Sequence, residues 1–194
     1  MVVRPYVPAV DVRNSYFARP LALVLENMVV NDTPLPLAAA VRRPVLNDVH
    51  AIAVFQTACW NEAYAGLVPQ EYLDRIGVGD RERRWRDRLV SGDRRVALAE
   101  VEGRVVGVVS WGESGTGRGP TLELKSLYVA AAHRSSGTAA HLLVHAVGEH
   151  PAHLWVFRDD LRAQAFYRKH GFLRDGCVTI DPDTGLPEVR MSRG

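Results

Sequence analysis

The stretch from residue 122 to residue 142 constrains the fold more than any other part of the chain. Apolar side chains recur along its first half as in a buried strand, and along its second half at helical spacing. Between them, Arg134-Ser-Ser-Gly137 forms a small polar turn. A strand that enters a helix through such a turn leaves several backbone N–H groups unpaired, with the positive end of the helix dipole behind them. The stretch therefore predicts a site for a phosphate or pyrophosphate group.

After residue 40 the chain alternates between strand and helix patterns. Strand patterns lie at 41–46, 95–100, 105–111, 122–129, 152–157, 172–180 and 186–191, and helix patterns at 49–65, 70–76, 80–90, 138–150 and 161–170. This order predicts a mixed α/β (α+β) domain, in which helices flank a central, mostly antiparallel sheet. The helix after the third central strand is a crossover, so the strands on either side of it are expected to be parallel neighbours.

Residues 1–40 differ from the rest, because they are rich in proline and show no regular pattern. We expect an N-terminal extension over 1–40 and a single globular domain over 41–194. The extension is expected to pack on the domain or on a second subunit of a homodimer, with a partly disordered arm as the alternative.

Composition excludes several classes of partner. The net charge of +2 is too small to indicate nucleic acid or a charged membrane. The basic run 81–88 contains Glu82 and Asp87, which favours a solvated helix face over a nucleic-acid patch. The N-terminus has neither a signal-peptide layout nor a membrane-spanning apolar run. Cys59 and Cys177 match no metal or redox spacing, so the cytoplasm is the expected location.

Three stretches match motifs of one enzyme family. The first is Leu127-Tyr-Val129 followed by Arg134-Ser-Ser-Gly137-Thr-Ala139. The second is Leu154-Trp-Val-Phe157, then Asp160, then Phe166-Tyr167-Arg-Lys-His-Gly171-Phe172. The third is Trp60-Asn-Glu-Ala-Tyr64-Ala-Gly-Leu-Val-Pro69, a stretch similar to that of many bacterial members. Through these motifs and the order of elements, Val41 to Met191 resembles the GNAT superfamily of acyl-CoA-dependent N-acetyltransferases, whose signature is Arg/Gln-x-x-Gly-x-Gly/Ala.

The resemblance implies acetyl-CoA as the co-substrate. The positions that match the family's cofactor-binding residues are Leu127, Tyr128, Val129, Arg134, Ser135, Ser136, Gly137, Thr138, Ala139 and Asp160. In the family, the pantetheine arm pairs with the backbone of the strand matched here by 127–129, and an N–H near Val129 would face the thioester oxygen. The amides from Ser135 to Ala139 can cradle the pyrophosphate, and Gly137 allows its close approach.

Acyl transfer to an amine needs a base for the amine's proton and an acid for the leaving thiolate. Tyr167 matches the family's general acid, with a packed aromatic side chain as the alternative. Glu123 is the candidate base, on the strand face opposite Leu122 and Leu124. Similar family members often use a Glu at this place through water, and an ordinary solvated carboxylate is the alternative. Glu113 is a weaker second candidate.

Some positions depart from the family pattern. Asp160 replaces the usual Asn, so it can accept a hydrogen bond and cap a helix but cannot donate when ionised. Trp155 stands where ribosomal-protein N-terminal acetyltransferases carry a Glu base, which argues against that subgroup. His141 and His145 have the spacing of metal ligands on a helix, but no third ligand is evident, so no metal site is expected.

The sequence thus predicts an acyltransferase that moves an acetyl group from acetyl-CoA to a primary amine by direct attack. The amine is expected to belong to a small molecule. One alternative is acetylation of a protein lysine or N-terminus. Another is a non-catalytic acyl-CoA-binding module, to which Asp160 lends some support. The expected partners are acetyl-CoA and the amine, with neither nucleic acid nor a membrane.

Overall fold

The computed structural model describes residues 39–114 and 119–194. The extension predicted for residues 1–40 lies outside these ranges except for its last two positions. Its boundary with the domain and its role in a homodimer stay predictions. Within the described ranges, no helix has the length and apolar character needed to cross a bilayer.

Strands and helices follow one another largely in the predicted order. The strands are β1 (Ala40–Arg42), β2 (Arg95–Val101), β3 (Arg104–Glu113), β4 (Leu122–Val129), β5 (Ala152–Phe157), β6 (Leu173–Ile180) and β7 (Pro187–Arg193). The helices are α1 (Val49–Ala63), α2 (Gln70–Arg75), α3 (Val78–Ser91), α4 (Thr138–Val147) and α5 (Leu161–Lys169). The bounds of β4 and β5 agree with the prediction residue for residue.

Several boundaries differ from the prediction, and two of these differences have local reasons. The first strand ends at Arg42, because Pro44 cannot donate a backbone hydrogen bond and a 3-10 turn begins at Leu46. Helix α3 begins earlier than predicted and includes Gly79. Its N-terminus is closed by the N–H of Gly77, which donates to the Asp80 carboxylate at 3.3 Å.

The strands form a seven-stranded sheet in the order β1-β2-β3-β4-β5-β7-β6. Every neighbouring pair is antiparallel except β4 and β5, which flank the α4 crossover. The predicted mixed fold and the predicted parallel pair are therefore confirmed.

A bulge in β4 explains the spacing of its apolar residues. The register with β3 moves from Ser126 to Leu124 in one step, which leaves Lys125 as the extra residue. Strict alternation would direct Leu124 and Leu127 to opposite faces, but the bulge brings both to the same one.

Helices cover both faces of the sheet. On one face, side chains of α4 and α5 pack with the strands around Leu142, Leu143, Leu154, Phe172 and Met191. On the other face, α1 and α3 pack around Ile52, Phe55, Trp85, Leu98 and Val108. The residues of β4 after the bulge lie between these two cores.

The parallel strands β4 and β5 separate soon after they meet. Only Glu123 and Leu124 pair with β5, opposite His153 and Leu154. Both strands continue beyond this point, to Val129 and Phe157. The backbone of β4 from residue 126 onward therefore has a partner strand on its β3 side and an open side toward β5.

Candidate active site

A cavity of about 340 Å³ lies where β4 and β5 separate. Its walls come from β4, β5 and α5, from the helices α1 to α3, and from the turn between β6 and β7. Among the predicted site residues, the lining contains Leu127, Tyr128, Val129, Arg134, Asp160 and Tyr167. The fold thus brings residues from distant parts of the sequence to one cavity.

The turn before α4 has the geometry of an anion-binding loop. Ser135 and Gly137 both have positive φ, 64° and 88°. The Ser136 hydroxyl donates to the His133 carbonyl at 2.7 Å and lies 2.8 Å from the Thr138 hydroxyl. The N-cap residue of α4 is Gly137, which has no side chain to cap the helix. The N–H of Thr138 donates to the Ser136 hydroxyl at 3.4 Å, whereas that of Ala139 has no partner in the described ranges and stays available to a ligand. Ser135 to Ala139 themselves lie outside the cavity lining.

Arg134 and Asp160 already have protein partners. Arg134 donates to the Glu62 carboxylate at 2.8 Å, which ties the turn to α1. Asp160 accepts from the Ala163 N–H at 2.9 Å and is the N-cap of α5, so the predicted capping role is confirmed. One oxygen of Asp160 is therefore used by the helix end.

Tyr167 is buried, with 9% of its surface exposed, and its side chain lines the cavity. Its ring lies 5.3 Å from the Phe166 ring and 6.1 Å from the Phe172 ring. Burial raises the pKa of Tyr167 well above its usual value, and neighbouring Tyr128 and Asp160 add to the shift. The hydroxyl therefore stays protonated at neutral pH, as an acid must before the reaction.

Glu123 lies close to the cavity but is not part of its lining. Its carboxylate accepts a hydrogen bond from Lys125 at 2.9 Å and lies 4.0 Å from Nε2 of the buried His153. Glu123 is on the sheet face opposite Leu124, as predicted. Glu113 is exposed at the end of β3.

Sequence reasoning missed a second carboxylate, that of Glu188. Val189 and Met191 of β7 face α4 and α5, so Glu188 faces the other side of the sheet, where it lines the cavity. Phe157 of β5 and Thr179 of β6 are its neighbours in the sheet. The alternating pattern of β7 gives the face of Glu188, but nothing local in the sequence indicates a cavity there.

The surroundings of Glu188 disfavour its charged form. Burial comes first, followed by the charges of Asp181 and Glu123, and together they raise the pKa of Glu188 to about 7. A carboxyl group that titrates near neutral pH inside a cavity is well suited to take up and release protons.

Aromatic residues of the Trp60–Pro69 motif close the cavity from the side of α1. The Trp60 indole N–H donates to the Tyr128 hydroxyl at 3.0 Å. Trp60 and Tyr64 pack edge to face with 4.7 Å between their rings, and Tyr64 packs on Phe157 at 5.2 Å. This motif therefore shapes the α1 wall of the cavity.

No group of three or more His, Cys, Asp or Glu side chains in residues 39–114 and 119–194 could hold a metal ion. His145, one of the two histidines at metal-ligand spacing, instead packs edge to face on Trp111 with 5.8 Å between the rings.

Leu127, Tyr128, Val129, Arg134, Asp160 and Tyr167, which the sequence motifs singled out, thus lie around one cavity. The model of the Acetyltransferase (GNAT) family matches residues 56–172. The chain belongs to this family and is an acyltransferase, which confirms the predicted family and enzyme class. A search of curated proteins found no significant match.

Solved structures agree on the fold. The PaiA N-acetyltransferase of Thermoplasma acidophilum in complex with coenzyme A has a TM-score of 0.64 at 18% identity, over 81% of this chain and 99% of that one. The ribosomal-protein-alanine N-acetyltransferase of Brucella melitensis has a TM-score of 0.59 at 23% identity, over 79% of this chain and 98% of that one. The structure of yncA from Salmonella typhimurium with acetyl-CoA has a TM-score of 0.57 at 19% identity, over 79% of this chain and 92% of that one. The ligands in two of these structures fit acetyl-CoA as the co-substrate.

Proposed function

We propose that this enzyme transfers the acetyl group of acetyl-CoA to a primary amine of a small molecule. The observation that carries the proposal is the open side of β4, residues 126–129, beside the buried hydroxyl of Tyr167. An extended pantetheine arm can pair with such a strand edge through its amide groups. The thioester at its end would then lie within reach of the acid.

The turn before α4 is proposed to hold the pyrophosphate. Its residues Ser135 and Gly137 have positive φ, a conformation in which a turn can direct successive N–H groups toward an anion, and the positive end of the α4 dipole lies next to it. Arg134 supports the turn through its ion pair with Glu62 and adds positive charge nearby. Asp160 acts mainly as the N-cap of α5 in this proposal.

The reaction is a direct attack of the amine on the thioester carbonyl. The amine nitrogen forms the new amide bond, a carboxylate takes its proton, and Tyr167 gives a proton to the thiolate of coenzyme A as the C–S bond breaks. Glu188 is the proposed base because it lines the cavity and has a pKa of about 7. Glu123, acting through water, is the alternative base.

Replacing Tyr167 by Phe tests the proposed acid. With the released thiol of coenzyme A as readout, Tyr167→Phe is expected to lower kcat by about 100-fold or more, with the Kd of acetyl-CoA unchanged. Tyr72→Phe removes a hydroxyl from another part of the cavity wall and is the matched control, with an expected loss below about threefold. Equal turnover of Tyr167→Phe and the wild type would exclude Tyr167 as the acid.

A panel of amines and peptides tests the acceptor. Thiol release with small amines supports the proposal, whereas release with lysine peptides or N-terminal peptides alone would favour protein acetylation. Binding of acetyl-CoA without thiol release in any of these reactions would favour a non-catalytic module.

A further inference from the structure

Three arginines lie together in the wall of the cavity and form what we call the arginine cluster, Arg81, Arg88 and Arg94. Arg81 and Arg88 are two turns apart on α3, and Arg94 follows in the connection to β2. None of the three has a role in the acetyl transfer described above.

Arg81 is buried without a carboxylate partner. Only 5% of its surface is exposed, and its Nε has no hydrogen-bond partner within residues 39–114 and 119–194. Its guanidinium lies over the Trp60 ring at 4.9 Å from the ring centre. A buried charge is costly unless an opposite charge or hydrogen bonds compensate it. The stacking on Trp60 compensates only part of that cost, which leaves a guanidinium available to a ligand.

Arg88 and Arg94 extend the positive wall. Arg88 lies over the Trp85 ring at 4.9 Å and forms no ion pair in the described part of the chain. Burial, and then the neighbouring charge of Arg94, lower the pKa of Arg88. The Nε of Arg94 is buried without a hydrogen bond there and forms a long ion pair with the Asp93 carboxylate, at 3.6 Å. Positive charges are thus gathered at this wall with little compensation.

Among the other basic residues of the lining, protein carboxylates neutralise Arg84, Arg134 and Lys125, whereas Arg162 of α5 forms no ion pair in the described part of the chain. Arg84 pairs with Asp183 at 3.0 Å, and Arg134 pairs with Glu62 at 2.8 Å. The carboxylates of Asp181 and Glu188 come from the β6–β7 side of the same cavity. The cavity therefore has a positive wall on α3 and a negative wall on the β6–β7 side.

We propose that the arginine cluster binds an anionic group, a carboxylate or a phosphate, on the acceptor amine. This inference rests on the proposed function and names the class of its acceptor. The ammonium end of such a molecule is attracted to Glu188 and Asp181, and its oxyanion end accepts hydrogen bonds from the guanidinium groups of the cluster. The acceptor is then a molecule with opposite charges at its two ends.

Three amines of similar size test the proposal: n-propylamine, 3-aminopropanoate and 2-aminoethyl phosphate. The wild type is expected to acetylate at least one anionic amine with a kcat/KM at least about tenfold above that of n-propylamine. The better of the two anionic amines identifies the group that is bound. Arg88→Gln and Arg94→Gln are expected to remove the preference while the KM of acetyl-CoA stays unchanged. Arg86→Gln, an exposed arginine on the same helix outside the lining, is the control and keeps the preference.

Calorimetry separates this proposal from the proposed function. The three amines are titrated into the complex with coenzyme A, whose own phosphate sites are then filled. An anionic amine is expected to bind at least about tenfold more tightly than n-propylamine, and Arg88→Gln to lose this difference. Failure to bind coenzyme A would contradict the proposed function. Equal binding of all three amines, a preference retained in both variants, or variants that weaken coenzyme A instead would overturn the arginine cluster as an acceptor site.

Discussion

Replacing Glu188 by Gln tests the proposed base in two independent ways. The pKa of this carboxyl is raised from 4.5 to about 7. The carboxylate form, which can accept a proton from the amine, therefore predominates only above about pH 7. The kcat/KM of the wild type is therefore expected to rise with pH through this value. Gln cannot accept the proton, so Glu188→Gln is expected to lower turnover at pH 8 by about 100-fold or more and to lose the rise near pH 7.

The same substitution is expected to stabilise the protein at alkaline pH. Because the folded state disfavours the charged carboxylate, the stability that Glu188 contributes is complete below its unfolded pKa, near 4.5, and is lost as the pH rises through about 7. The difference in pKa corresponds to about 3 kcal/mol for a fully buried group, and solvent screening of this half-buried side chain reduces it to about 1 kcal/mol. Glu188→Gln should thus raise Tm at pH 8 by about 2–4 °C and leave it unchanged at pH 4.

The assays are thiol release across pH 5.5–9 and thermal unfolding at both pH values. Glu149→Gln, at an exposed carboxylate, is the control and should change neither. A Glu188→Gln variant that keeps the rate and the pH profile of the wild type would refute the assignment of the base. A Tm at pH 8 equal to that of the wild type would refute the raised pKa.

Two further substitutions probe neighbouring parts of the molecule. Glu123→Gln removes a charge that helps to raise the pKa of Glu188, so the pH profile of kcat/KM should shift to lower pH. Turnover should stay within about threefold of the wild type. A loss of turnover of about 100-fold would assign the base to Glu123. Gly107→Ala places a Cβ 2.7 Å from the Leu142 side chain, so denaturant titration should show a loss of about 1–3 kcal/mol, and an unchanged midpoint would contradict the close packing of β3 on α4.

Sequence patterns were sufficient to predict strand and helix boundaries where the local signals are strong. Apolar runs predicted β4 and β5 to the residue, and the turn at Gly137 predicted the start of α4. The bulge at Lys125 was missed, because it depends on the register with β3, which the sequence of β4 alone does not determine. Even so, the apolar positions of β4 break strict alternation at this place.

The sequence predicted only those parts of the candidate site that lie in recognisable motifs. Tyr167 and the residues after the bulge were singled out from the sequence, and they line the cavity. Glu188 was not singled out, and the run 81–88 was predicted to be a solvated helix face although Arg81 is buried, since the environments of both residues arise from elements far away in the chain. Glu188 owes its raised pKa to burial in the folded domain, and Arg81 is enclosed against Trp60 of another helix. Such environments exist only after the chain has folded.

The short stretch of pairing between β4 and β5 also affects how the stability of the protein depends on the concentration of a ligand. Because only Glu123 and Leu124 pair with β5, the halves β1–β4 and β5–β7 of the sheet share few hydrogen bonds. A ligand that contacts both halves across the gap binds only the folded state, so its binding raises the free energy of unfolding. At a concentration 100 times its Kd, the addition is about 2.7 kcal/mol. With acetyl-CoA as that ligand, the folded fraction of this enzyme would rise and fall with the acetyl supply around it.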